Sequence, residues 1–168
     1  ANYLLGKAYL QQGLPDKALA AMTRGLKTAS NDPSLLSGTA IANDAKGLHK
    51  IAQDFHQKAL AQAAPRDRVA FTSNLAMSYL LDDQAAKAVA LLEPQVKKPG
   101  APQVLRHNLA LAYGLLGRDA EARALLKGEL SEEARRESVT QVKTYIAKRK
   151  AAPGSVKPEQ TAIHNATN

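Results

Sequence analysis

One spacing limits this chain more than any other feature. A tyrosine-type position, a glycine-type position four residues later and an alanine nine residues later recur four times. The copies are Tyr9, Gly13 and Ala18; Asn43, Gly47 and Ala52; Tyr79, Asp83 and Ala88; and Tyr113, Gly117 and Ala122. Successive copies lie 34, 36 and 34 residues apart. A period near 34 residues is that of stacked helical hairpins, in which no single unit can bury its apolar face alone. Small residues on the first helix (Gly6, Ala40, Ala76, Ala110) and on the second (Ala18, Ala52, Ala88, Ala122) let the two backbones approach, and the aromatic fills the space beside them. The glycine closes the first helix, because a residue just past a helix end often takes the left-handed conformation, which glycine reaches without steric cost.

Composition agrees with an all-α chain. The 168 residues are 45% apolar but only 4% aromatic, with no tryptophan, so packing rests on alanine and leucine. The expected units are four hairpins at about 1–31, 33–64, 65–98 and 101–130, then a capping helix over 131–150 and a tail over 151–168. Asp32 and Pro33 read as the N-cap and first residue of a helix, where proline's missing N–H is no loss. Ser131, followed by two glutamates, reads as the cap of the last helix, and Lys148, Arg149 and Lys150 suit its C-terminal end. Pro94 falls inside a helix and is expected to kink or shorten it. The clearest break in the pattern is "KKPGAP" at 97–102.

The formal charge is +8, which raises nucleic acid as a partner. The charges are spread, however, with 16 basic and 11 acidic groups in residues 1–130 and seven and four in the remainder. No basic block is interleaved with aromatics to stack bases, so no nucleic-acid partner is expected. Cysteine is absent, which excludes disulfides and thiolate chemistry. No apolar run is long enough to span a membrane.

No catalytic constellation is present, and neither a metal nor a cofactor is expected. His49 and His56 stand two helical turns apart, about 10.5 Å along the axis, too far to share an ion without other ligands. His56 reads as a core histidine. Asp82 and Asp83 resemble a carboxylate pair, but they occupy the place of the closing glycine and read as a turn.

Gly6, Tyr9, Ala18, Tyr79, Ala88, Ala110, Tyr113, Gly117 and Ala122, at this spacing, resemble the tetratricopeptide repeats. The resemblance implies a right-handed superhelix of about four repeats with the first helices lining its concave face. More narrowly, "PGAPQVLRHNLALAYGLLGRDAEARALL" is similar to the TadD family of tight-adherence (Flp pilus) assembly lipoproteins. That likeness implies a non-enzymatic scaffold at the periplasmic face of the outer membrane, helping a secretin ring assemble as a pilotin does. The family's lipid-bearing cysteine is not in this sequence, and the first helix is already under way at Ala1. The chain is therefore expected to begin partway through a longer one, with membrane attachment only through that lipid. The alternative is a generic repeat adaptor or a structural module of a longer protein.

Carried over from the repeat family, the concave positions are Tyr3, Lys7 and Leu10; Ser37, Ile41 and Asp44; Ser73, Met77 and Leu80; and His107, Leu111 and Gly114. Ile41, Met77, Leu80 and Leu111 would form an apolar strip for a partner's segment, with Asn74 and Asn108 hydrogen-bonding its backbone. The same asparagines match part of the carboxylate clamp of chaperone-binding members, but Leu4 and Gly38 leave that clamp incomplete.

Overall fold

The computed structural model describes residues 1–151, so the expected tail beyond Ala151, with His164, lies outside the described residues. Among them the chain is all-helical: α1 (Asn2–Gln11), α2 (Pro15–Leu26), α3 (Pro33–Ala45), α4 (His49–Ala61), α5 (Arg68–Leu81), α6 (Ala85–Val96), α7 (Gln103–Leu115), α8 (Asp119–Leu125) and α9 (Glu132–Ala151). They form two compact units that divide between Phe71 and Thr72, inside α5. The "KKPGAP" segment is not that boundary. It is the turn between α6 and α7, which pack together, with Ala101 buried and Gly100 at φ 72°.

In the first unit α1 packs on α2, α2 on α3 and α3 on α4, and α1 also touches α3. The core gathers Met22 and Leu26 from α2, Leu35, Leu36 and Ala40 from α3, Ala52, Phe55 and Ala59 from α4, and Phe71. Each leucine or phenylalanine buried in this way contributes about 1.5–3 kcal/mol. All four second-helix alanines, with Ala40, Ala76 and Ala110, have no exposed surface, as close helix approach requires. Local signals set the ends. Asp32 Oδ1 accepts from the Leu35 N–H at 2.8 Å, and Pro33 opens α3. Gly13, Gly47 and Gly117 take φ of 69°, 74° and 75°, and Asp83 takes the same place at 60°.

Where the second copy lacks the aromatic, Asn43 is buried and its amide donates to the Thr39 carbonyl at 2.8 Å. The cation over the aromatic is missing there too. Lys17 stands over Tyr9 and Lys87 over Tyr79, eight residues on in each case, whereas eight residues after Asn43 comes Ile51.

In the second unit α6 packs on α7, and α7 packs on α8 and α9. Pro94 does not shorten α6, which has 12 residues like α2. The helix runs on through it to Val96, although proline has no N–H to give the Ala90 carbonyl one turn back. α8 is only seven residues long, and α9 runs for 20. Ser131 Oγ accepts from the Ala134 N–H at 3.1 Å and so starts α9.

Candidate functional site

The expected concave residues separate by unit and by column. In the first unit Tyr3, Lys7 and Ile41 are exposed on α1 and α3. In the second, Met77 and Asn74 are half-buried on α5, while Leu80 is fully buried. Leu80 is thus no surface residue. On α5 the sequence Thr72, Leu75, Ala76, Tyr79, Leu80 steps by three and one, and this whole stripe is buried. The equivalent positions in the other copies are packed as well. Leu10 joins the first unit's core, Asp44 faces two histidines, and Gly114 lies buried under α9.

His107, Asn108 and Leu111 do come together. With Leu126, Leu130, Arg135 and Ser138 they line a cleft of about 210 Å3 on the face of α7, between it and α9. Leucines supply its apolar wall. His107 Nε2 donates to Glu129 at 3.2 Å, and Arg106 donates to the same carboxylate from Nη2 at 2.7 Å and from Nε at 3.1 Å. Hydrogen bonding from Arg106 holds the Glu129 carboxyl below the usual glutamate range. Asn108 is less available to a partner than the sequence suggests, because it is buried and its amide donates to Ser73 Oγ at 2.9 Å.

Arg135 closes the other side of the cleft, with only 6% of its side chain exposed. Its Nη1 donates to Asp119 at 2.9 Å and its Nη2 to Glu132 at 2.7 Å. Bonding to Arg135 lowers the Glu132 carboxyl. The wall is therefore already ion-paired while α9 is seated. The sequence holds no regular cue to Arg135 as a cleft residue, because its partner Asp119 lies on another helix.

The two histidines of the second copy share a carboxylate. His49 Nδ1 donates to one oxygen of Asp44 at 2.7 Å and His56 Nε2 to the other at 3.0 Å. Both rings are buried. Seven-residue spacing brings them to opposite oxygens of one side chain, which lies on the facing helix. Among the described residues no group of three metal-ligating side chains is placed to hold an ion, and no helix is long and apolar enough to cross a membrane.

No protein-family model matches the chain, and no curated protein matches it significantly. The cleft's own chemistry is that of a small apolar notch with polar edges, suited to one apolar side chain and the backbone beside it. The groups on its rim are already paired with one another.

Proposed function

We propose that the chain is a tetratricopeptide array that binds a segment of a partner protein without catalysis. The partner class is the outer-membrane secretin of a tight-adherence pilus, and the chain acts as a TadD-like assembly factor at the periplasmic face. The observation that carries the reading is the cleft of α7, where His107, Asn108 and Leu111 meet around an apolar wall. Residues 99–126 add the likeness to the TadD family.

The test is calorimetry of the purified chain against peptides tiled along the secretin of the same Flp pilus system, at low and high salt. A saturable interaction that tolerates salt and is lost in Leu111→Glu, with helicity intact, supports the reading. An affinity unchanged by Leu111→Glu removes the cleft from it. Binding that disappears with salt assigns the interaction to the +8 charge instead.

A further inference from the structure

α9 is seated along a single seam. Arg135, Val139, Val142, Ile146 and Arg149 follow one another at intervals of four, three, four and three, the spacing of one helix face. Arg135, Val139 and Ile146 are buried, Val142 and Arg149 are half-buried, and every other residue between Arg135 and Lys150 is exposed. The apolar part is only three side chains long, and both ends are arginine.

Two places along the seam meet a feature that departs from the repeat pattern. A β-carbon at Gly114 of α7 would stand 2.5 Å from Val139 Cγ2. Gly114 occupies the column that carries Leu10, Asp44 and Leu80 in the other copies, so the side chain missing from α7 is the space Val139 fills. At the far end Arg149 Nη1 donates to Asp82 at 2.8 Å, and Lys150 pairs with Asp83. Asp83 stands at φ 60° where three other turns have glycine. A turn needing only left-handed backbone is served better by glycine. A carboxylate at that place has a partner on α9. At the near end Arg135 reaches Asp119 at the start of α8.

We propose that the face of α7 under α9, with the acidic turn that follows α5, is a helix-binding surface. α9 occupies it in cis, latched by Arg149 and Lys150 on Asp82 and Asp83. The occupant in trans is α9 of a second copy, whose aliphatic residues at i, i+3 and i+7 are bracketed by the arginines that meet Asp119 and Asp82. The surface stands on residues 72–151 and shares Arg135 with the cleft of the proposed function, but its test reads exchange and self-binding of α9, not secretin binding.

The test compares the whole chain with its Arg149→Glu, Lys150→Glu variant, which reverses the latch on α9 and leaves Asp82 and Asp83 in place. Amide hydrogens of α9 are expected to exchange about tenfold faster in the variant, while those of α6 and α7 keep their protection. A labelled peptide of residues 131–151 is expected to bind the variant about tenfold more tightly than the parent chain, because the cis competitor has been weakened. The same peptide carrying Ile146→Asp is expected not to bind. Asp83→Gly separates the latch from the turn, since an anchor lost there speeds exchange of α9, whereas a mere turn residue replaced by glycine slows it. Unchanged exchange of α9 on charge reversal, slower exchange in Asp83→Gly, or a peptide that binds parent and variant alike overturns the proposal.

Discussion

Met22 of α2 is fully buried, with Gly6 of α1 on one side and Gly38 of α3 on the other. A β-carbon at Gly6 would stand 2.6 Å from Met22 Cε, and one at Gly38 would overlap the same methyl group. A methionine can yield to one added methyl by leaning toward the other glycine, but it cannot yield to both. Gly6→Ala and Gly38→Ala are each expected to be near neutral, because alanine's advantage of about 0.5–1 kcal/mol within a helix offsets the repacking. The double substitution is expected to lose about 1–3 kcal/mol by overpacking. Urea unfolding of the four chains measures the coupling, and additive values would show that the thioether has another way out. A second residue-scale case is Asp44, which accepts from both His49 and His56. Asp44→Ala takes an acceptor from two buried rings, so a loss of about 1–3 kcal/mol for each is expected in the same measurement. A variant as stable as the parent would mean that the rings find other partners at little cost.

Helix boundaries and contacting faces differ in how far they can be read from sequence, and the reason is the range of the forces involved. Asp32 before Pro33 and Ser131 before two glutamates act within three residues, so the starts of α3 and α9 are legible. The alanine columns are legible because a buried alanine at every recurrence is what close helix approach demands. Which first-helix residues stay open is harder. Met77 and Leu80 are both apolar and share α5, yet only Met77 retains exposed surface, because the face of α5 is set by what packs around it. The seat of α9 is harder still, since its seam ends in arginines that read as solvent-facing until Asp119 and Asp82 are seen opposite them. The cap of α3 offers a test at this scale. Asp32→Ala is expected to cost about 1 kcal/mol, and Asp32→Asn much less, since asparagine keeps the accepting oxygen. Thermal unfolding of the two variants checks this, and equal losses would place the effect in the charge rather than the hydrogen bond.

At the scale of the whole molecule, charge is shared between the units, and four glutamates held low in pKa fall in the second. Residues 1–71 carry nine basic and five acidic side chains, and residues 72–151 carry 13 and nine. Glu93, Glu121, Glu129 and Glu132 all titrate below the usual glutamate range, and all lie in the second unit. The Tyr113 hydroxyl is the largest cause for Glu93, and it donates to that carboxylate at 2.8 Å. Arg118, Arg106 and Arg135 are the largest causes for the other three. A carboxyl whose folded pKa lies below its unfolded value stabilises the fold above the unfolded value, about 4.3 for glutamate, and that contribution fades as pH falls through the folded one. Acid is therefore expected to loosen α6 to α9 as pH drops below about 4.3. Hydrogen exchange compared at matched intrinsic rates, at neutral pH and at about pH 3.5, reads this helix by helix. Tyr113→Phe removes the largest cause for Glu93, so its carboxyl should titrate closer to the ordinary value and the acid-linked loss should be smaller in that variant. Protection of α6 to α9 that stays level across this range, or a loss of the same size in Tyr113→Phe, would show that these glutamates do not couple to folding through the bonds that hold them.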